Sequence, residues 1–364
     1  MRSLESFSTA VSLHCHTQHS REMLDFIPHY AARIPVINRL FTAELQRYED
    51  RHGRAVDFRR AWWTPPVTAR TVYESEVEQI NHRLDKQALV SITDHDDIEA
   101  PSLLRVLDLP QPPPVSLEWT VPFGAAYFHL GVHNLPADQA AEFSRGLLEY
   151  TADPGGHDLR DLLTALNLLP GTLVVLNHPF WDIECLGQRR HNVALGQFIG
   201  AYGKWLHALE VNGFRFWHEN EATIELAGEL GLPIISGGDR HGCQCNTTLN
   251  LTAAASFDEF AAEIRDGHSE VLVLPEYREP MAARMLESAA EILRTYPQNP
   301  ESQQNWLDRI FIRGEDEEIR ALSHFWPHGG PGWVRAAVRV MCLLGSPRFR
   351  PALRRALPAE EVLS

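Results

Sequence analysis

The sequence predicts an α/β fold, a closed or distorted barrel in which short strands alternate with helices. Apolar, β-branched runs without polar alternation are separated by segments of helical periodicity, which is typical of buried parallel strands joined by crossover helices. Histidine, aspartate and glutamate residues then recur at the C-terminal ends of these runs. Because α/β barrels carry their active sites at that end of their strands, the same residues predict a functional site.

The individual elements follow from these runs in chain order. Seven strands are predicted, near residues 11–16, 88–94, 114–120, 127–133, 172–177, 207–212 and 232–238. A short eighth strand is predicted over residues 271–274. Helices are predicted over residues 136–150, 157–168 and 219–230, the last of which ends at Gly231.

Two segments do not fit the strand and helix repeat. Residues 22–70 are long for one crossover, and we interpret them as a helical insertion that either borders the site as a lid or interface or only packs as an enlarged crossover. Residues 276–364 are expected to form a mostly helical extension after a barrel of residues 1–275. The acidic run at 315–318 and the basic residues near the end of the extension, Arg348, Arg350, Arg354 and Arg355, are typical of solvated helix faces.

The composition limits the classes of partner. A formal net charge of -15 disfavours binding to a long nucleic acid, whereas bound divalent ions would still admit a small phosphorylated substrate. The first residues lack the apolar stretch of a signal peptide, and no run approaches the roughly 20 apolar residues that span a bilayer. The five cysteines are scattered and odd in number, which suits a reducing cytoplasm better than a disulfide framework. We therefore expect a cytoplasmic protein, and the lack of a long apolar run predicts no membrane contact. The oligomeric state stays open.

The polar residues at the strand ends are of the types that bind metal ions. The candidates are His14, His16, Asp94, His95, Glu118, His129, His133, His178, Asp239 and His241. Side chains two residues apart on a strand point to the same side, so His14 and His16 face one space. Imidazole and carboxylate ligands together suit zinc, manganese or iron, and Glu118 has two oxygens with which to bridge two cations. For His133 a structural role and a ligand role have equal weight.

The order of these motifs resembles the PHP family, the polymerase and histidinol phosphatase superfamily of metal-dependent phosphoesterases. The resemblance covers residues 9–275 outside the insertion. It rests on these segments of the sequence: Leu13-His14-Cys15-His16-Thr17, Ile92-Thr93-Asp94-His95-Asp96, Glu118, Phe128-His129-Leu130-Gly131, Asn177-His178-Pro179, Leu209-Glu210-Val211-Asn212-Gly213 and Gly238-Asp239-Arg240-His241. It implies a distorted (β/α)7 TIM-like barrel with two or three divalent ions.

The resemblance also implies a ligand set for each ion. One ion is expected at His14, His16, Glu118 and Asp239, and Glu118 would bridge to a second ion bound by His129 and His178. A third ion is expected at His95 and His241, with His19 or Glu22 as a further ligand. Glu22 fits better by spacing, although Ser20-Arg21-Glu22 departs from the Ser-Asp-Gly form common in the family.

Several neighbours of these ligands are given supporting roles. Asp94 is expected to orient a ligand, and Glu210 and Asn212 are either such supports or structural residues. Cys15 is expected to pack in the core because it points away from its two neighbours. The cysteines at 243 and 245 lack a second pair and are interpreted as loop residues.

Arg240 departs from the small residue that is usual between Asp239 and His241. Its planar guanidinium suits a phosphate, and a salt bridge to a nearby acid is an equal alternative. Arg21 and Arg215 are weaker phosphate candidates.

The predicted activity is hydrolysis of a phosphoester of a small metabolite or nucleotide by a hydroxide that bridges two metal ions. The candidate catalytic residues are Arg240 at the phosphate and His241 or Asp239 at the leaving group. An amidohydrolase-type barrel is one alternative, although neither Lys86 nor Lys204 is placed to become a carboxylated bridging lysine.

A non-catalytic, metal-binding regulatory domain is the other alternative. The chain contains no Walker motif, which excludes a Walker-type NTPase, and it also lacks a Gly-x-Ser-x-Gly nucleophile elbow.

Overall fold

A computed structural model describes residues 4–53, 55–107, 109–314, 317–360 and 362. Its strands are β1 (Thr9–Ser12), β2 (Glu22–Met23), β3 (Ala61–Trp63), β4 (Gln87–Val90), β5 (Val115–Phe123), β6 (Ala126–Leu135), β7 (Leu173–Leu176), β8 (Ala208–Asn212), β9 (Ile234–Gly237), β10 (Thr248–Thr252), β11 (Val271–Val273), β12 (Ile310–Arg313) and β13 (Ile319–Ala321). Each of the eight predicted strands is present within a few residues of its predicted bounds.

Helices occupy most of the segments between these strands. They are α1 (Ile27–Ala32), α2 (Pro35–His52), α3 (Ala69–Leu84), α4 (Glu99–Arg105), α5 (Ala140–Ala152), α6 (Leu159–Asn167), α7 (Gln188–Tyr202), α8 (Trp217–Leu230), α9 (Phe257–Arg265), α10 (Met281–Ile292), α11 (Leu322–Phe325), α12 (Gly332–Leu344) and α13 (Arg350–Ala356). Helix α8 ends at Gly231, whose φ of 66° is readily adopted by glycine, as the sequence predicts.

The fold is a mixed α/β structure whose strands form three sheets in the described part of the chain. One sheet has the order β11-β10-β1-β4, and a second has the order β5-β6-β7-β8-β9. Single parallel bridges connect these two sheets, one between His95 and Glu118 and one between Cys15 and Arg240. The ends of β1, β4, β5 and β9 therefore lie side by side, which brings the predicted site residues to one place.

The expectation of a parallel sheet is wrong for part of each of these two sheets, and in the first sheet β10 pairs antiparallel with both β1 and β11. Strands β7, β8 and β9 pair in parallel, as do β1 and β4, but β5, β6 and β7 pair antiparallel. The physical reason is the connection between β5 and β6, which contains only Gly124, at a φ of 64°, and Ala125. So short a connection permits only an antiparallel hairpin, because a parallel pair needs a crossover of a dozen or more residues.

The main core lies where the second sheet meets its helices. Side chains from β5, β6 and β7, such as Leu117, Leu130 and Leu176, are fully buried against helices α5 to α7. A smaller core between β1 and α9 contains Val11 and Phe260. Burial of apolar side chains from both faces of these strands explains why the runs lack polar alternation.

The third sheet joins the two segments that do not fit the repeat. Its order is β13-β12-β3-β2, so that β2 and β3 of the 22–70 insertion pair with β12 and β13 of the 276–364 extension. The extension is otherwise mostly helical. Residues 315 and 316 of the predicted acidic run lie outside the described residues, and Arg350 is paired with the buried Glu287 rather than only solvated.

Within the described residues, the helices are all too short or too polar to cross a lipid bilayer. The five cysteines carry free thiols, and Cys15 is fully buried as predicted.

Candidate metal centre

Glu118 lies at the centre of the predicted ligands and is fully buried. Its Oε2 is 3.0 Å from Nε2 of His14 and 3.3 Å from Nε2 of both His16 and His95. Its Oε1 faces a different pair of histidines, with His129 Nδ1 at 3.3 Å and His178 Nε2 at 3.1 Å. The two carboxylate oxygens therefore divide the histidines into two groups, as a bridging ligand would.

Asp239 and Glu22 complete the acidic part of the cluster. Asp239 Oδ1 lies 3.7 Å from His14 Nε2 and 3.6 Å from His16 Nε2. Glu22 Oε2 lies 3.1 Å from His241 Nε2 and 3.3 Å from the Nε2 of His95.

The structure thus gathers all the predicted ligands into one cluster. Among the described residues, the groups able to hold an ion are His14, His16 and Glu118; His95, Glu118 and His129; His14, His178 and Glu210; and His16, Glu22, His95 and His241.

The donor set fits the divalent ions that the family resemblance implies. His16 Nε2 and His129 Nδ1 are buried and have no hydrogen-bond partner within the described structure. A buried polar atom without a partner is costly, and a metal ion would satisfy both nitrogens. Burial alone would raise the pKa of Glu118, but the charges of His14, His129 and His95 outweigh it and hold that pKa well below its usual range. The carboxylate is therefore ionised and available as a ligand.

Neighbouring polar groups turn the histidines toward the cluster. Nδ1–H of His14 donates to Glu210 Oε2 at 2.6 Å, so Nε2 is the ring nitrogen that faces Glu118. Ser20 Oγ donates to Glu22 Oε1 at 2.6 Å and accepts from Nδ1 of His16 at 3.1 Å. Such partners select the tautomer in which the opposite nitrogen can bind a metal.

Three of the ligand residues have left-handed backbone conformations. The φ angles are 62° at His14, 27° at His178 and 54° at Asp239. Residues with a Cβ rarely adopt this region, and each instance costs on the order of 1–3 kcal/mol. The rest of the fold therefore holds these three side chains in place against a local preference.

Glu210 contacts His14 directly, and the sequence left its role open between support of a ligand and structure. Its second oxygen accepts from Asn212 Nδ2 at 2.6 Å, and a Cβ on Gly237 would lie only 1.9 Å from Oε2. The absence of a side chain at Gly237 therefore gives Glu210 the room to reach His14.

Asp94, His133 and His19 contact residues outside the proposed ligand groups. Asp94, expected to orient a metal ligand, instead accepts from the backbone N–H and the hydroxyl of Thr17 at 2.5 and 2.7 Å, because it lies beneath the turn that follows the His-x-His motif. His133 Nδ1 contacts Ser91 Oγ at 2.9 Å, and burial lowers its pKa to about 3. His19 Nδ1 faces Glu99 at 3.2 Å, which leaves Glu22 as the partner of the third group.

Arg240 is directed away from the cluster, which corrects its predicted role at a phosphate. Its Nη1 lies 2.6 Å from Glu76 Oε1, and its Nη2 donates to the carbonyl of Cys243 at 3.0 Å. The reason is alternation along the chain, because Arg240 stands between Asp239 and His241, which both face the cluster. The salt bridge, the other alternative from the sequence, describes this residue.

Both ring nitrogens of His241 contact neighbouring groups. Its Nδ1–H donates to the carbonyl of Asp239 at 2.9 Å, and its Nε2 faces Glu22. Both nitrogens are thus engaged, and this geometry does not favour the predicted proton transfer from His241 to the leaving group.

Arg215 is the arginine that reaches the cluster. Its Nη2 donates to Asp239 Oδ2 at 2.9 Å, and its guanidinium carbon lies 3.6 Å from the ring centroid of Trp181. Its Nε is buried without a hydrogen-bond partner in the described structure. Arg21, the other weak candidate, is exposed and lies 5.8 Å from the ring centroid of Trp62.

Two strands of the insertion place residues beside the cluster. Strand β2 supplies Glu22, and Trp63 of β3 lies with its ring centroid 5.7 Å from that of His241. Neither lysine approaches the cluster, since Lys86 Nζ donates to the carbonyl of Phe7 and Lys204 lies over Trp205.

Two contacts were not assigned from the sequence. Asn177 Nδ2 donates to Glu118 Oε1 at 2.9 Å, and Glu76 holds Arg240. The position of Asn177 directly before His178 was a usable signal, whereas the partner of Arg240 comes from a distant helix.

No protein-family model matches the chain, and no curated protein matches it by sequence. Two solved structures are similar in part, each 17% identical and each covering 57% of this chain. One is PsfC from Pseudomonas syringae PB-5123, with a TM-score of 0.40 over 84% of its own length. The other, from Bifidobacterium adolescentis ATCC 15703, is provisionally a metal-dependent phosphoesterase, with a TM-score of 0.33 over 93% of its own length. TM-scores of this size do not establish a shared fold.

Proposed function

We propose that this protein is a metal-dependent phosphoesterase of the PHP type that uses two or three divalent ions of zinc, manganese or iron. The observation that carries the proposal is the position of Glu118, whose two oxygens face separate groups of histidines in a buried site. Histidine and carboxylate ligands of this number suit more than one first-row ion.

The proposed architecture is a distorted seven-stranded barrel. The ring would consist of β1, β4, β5, β6, β7, β8 and β9. It is supported by the single bridges from His95 to Glu118 and from Cys15 to Arg240, which lie where the ring passes from one sheet to the other. Most of the site residues would then follow the C-terminal ends of β1, β4, β7 and β9, whereas Glu118 lies within β5 and His129 within the antiparallel strand β6.

Each ion would have its own ligand group. His14, His16, Asp239 and one oxygen of Glu118 would hold the first, and His129, His178 and the other oxygen of Glu118 the second. Glu22, His95 and His241 would hold the third. When bound, such ions supply Lewis acidity that activates water and stabilises the charge that develops at phosphorus.

The chain's own residues account for recognition of the substrate. Arg215 presents a guanidinium beside Asp239, and its unpartnered Nε gives it spare capacity to donate to a phosphate oxygen. Trp181 stacks on this guanidinium and restricts its orientation. The strongly acidic chain favours a small phosphorylated metabolite or nucleotide over a long nucleic acid.

The proposal is tested by metal analysis together with hydrolysis of a generic aryl phosphate. The purified chain should contain divalent metal by mass spectrometry and hydrolyse the ester. Glu118→Gln should lose bound metal and lower kcat/KM about a hundredfold or more, because both oxygens contribute to binding. Glu142→Gln, on the exposed face of α5, is the matched control and should leave both unchanged.

Two results would count against phosphoester hydrolysis. Full activity in Glu118→Gln, or in metal-free protein, would remove the role of the cluster. Bound metal without turnover of any phosphoester in a metabolite panel would favour the regulatory alternative instead.

A further inference from the structure

The loop that carries Arg215 is held from outside the region of family resemblance. Tyr277 lies in a short 3-10 helix, Pro275–Arg278, at the start of the C-terminal extension, and it is completely buried. Its hydroxyl donates to the backbone carbonyl of Arg215 at 2.7 Å.

A second residue of the extension holds the same loop. Arg284, in α10, is 5% exposed, and its Nη2 donates to the carbonyl of Gly213 at 2.7 Å and to Thr247 Oγ1 at 3.1 Å. The carbonyls of Gly213 and Arg215 lie beyond the end of β8, so they are outside the hydrogen-bonding pattern of that strand. The extension therefore supplies one donor to each of these carbonyls, and Thr247 Oγ1 is a second donor to that of Gly213.

Tyr277 is also connected to the metal centre by buried amides. Its hydroxyl accepts from Asn220 Nδ2 at 2.7 Å, and Asn220 bonds both the N–H and the carbonyl of Asn212. Asn212 Nδ2 in turn donates to Glu210, the carboxylate that holds His14. One hydroxyl thus contacts the loop of Arg215 directly and is linked to Glu210 only through Asn220 and Asn212.

We propose that Tyr277 is a positioning residue that fixes Arg215 for binding of a substrate phosphate. This inference rests on the proposed function, because it takes Arg215 as the phosphate contact. Without the hydroxyl, the buried carbonyl of Arg215 loses its donor and the loop is free to move its guanidinium away from Asp239. The C-terminal extension is then a working part of the site and more than packing.

The test is calorimetric titration of the metal-loaded, full-length chain with inorganic phosphate. Tyr277→Phe should weaken phosphate binding about tenfold, the effect of leaving one buried polar group unpaired. Its metal content should stay at the wild-type level, because Asn212 still holds Glu210. Tyr150→Phe removes another buried tyrosine hydroxyl that bonds a backbone carbonyl, that of Pro122, and should leave phosphate affinity unchanged.

A double-variant cycle separates positioning from general damage. Arg215→Met should weaken phosphate binding most, and adding Tyr277→Phe to it should weaken binding no further. An equal loss in both backgrounds, or wild-type affinity in Tyr277→Phe, would overturn the inference. If Tyr277→Phe does not fold, Arg284→Lys tests the same loop and should weaken phosphate binding in the same way, whereas wild-type affinity in that variant would overturn the inference.

The wild-type titration serves as the check on the proposed function. A wild-type chain that binds metal but no phosphate would defeat the assignment of Arg215 as a phosphate contact, and the inference with it. Wild-type phosphate binding with an unaffected Tyr277→Phe would defeat the inference alone.

Discussion

Substituting Gly237 by alanine should damage the metal centre without touching a ligand. A Cβ at this position would lie 1.9 Å from Glu210 Oε2, 2.2 Å from its carboxyl carbon and 2.8 Å from its Cγ. An ordinary contact begins near 3.4 Å, so the carboxylate must retreat by about 1.5 Å. That movement breaks the 2.6 Å hydrogen bond to Nδ1 of His14 and the 2.6 Å bond from Asn212.

The expected loss follows from the role of such supports. Removal of a partner that orients a metal-binding histidine typically costs about 10-fold to 100-fold in metal affinity. Gly237→Ala and Glu210→Gln should each fall in this range, and the double variant should be no worse than either, since both release His14.

Competition with a chelator, followed by metal analysis, measures the affinity. Gly228→Ala is the matched control, because a Cβ there meets nothing within 4 Å and alanine favours the surrounding helix α8. Wild-type metal affinity in a folded Gly237→Ala protein would refute the reasoning, because it would mean that His14 does not depend on Glu210.

Three further predictions concern stability. Removing metal with a chelator should lower the Tm, because ions that bind only the folded state add about 2.7 kcal/mol at a hundred times their Kd; an unchanged Tm would argue against bound metal. Glu76→Gln should reduce the free energy of unfolding in urea by about 3–5 kcal/mol, since the charge of Arg240 is left buried without a counter-charge, and Glu76→Gln with Arg240→Met should recover part of the loss. Burial and the charge of Arg265 lower the pKa of His207 to about 4 in the folded chain. In the unfolded chain this histidine takes up its proton below a pH of about 6.5, so the free energy of unfolding should decline as the pH falls from about 6.5 to about 4. His207→Gln should flatten that decline in denaturation curves measured across this pH range.

The histidines and carboxylates that follow the strands were the part of the site that the sequence predicted most directly. Successive side chains along an extended segment point to opposite sides, which directs Cys15 away from the cluster. The same alternation applies to Arg240, which also stands between two cluster residues. Applied to both, it would have favoured the salt bridge over the phosphate contact. The position of Glu22 depended on the family spacing, and its contacts with His95 and His241 agree with that choice.

The sequence was less informative wherever pairing joins distant segments. The hairpin of β5 and β6 had a local signal in its two-residue connection, and the strand Thr248–Thr252 was missed although its residues are all buried. The pairing of β3 with β12 had no local signal at all, because strands of three and four residues in two separate segments reveal their partner only in the folded chain. The same holds for Tyr277, whose partner Arg215 lies in another segment of the chain.

The sheet shared by the insertion and the extension bears on how the chain matures during synthesis. Glu22 emerges early from the ribosome, but β3, the strand beside it, gains its second neighbour only when residues 310–313 have been made. Translation at about 5–20 residues per second separates these events by tens of seconds. The strand that carries Glu22 is therefore made tens of seconds before the last strand that completes its sheet.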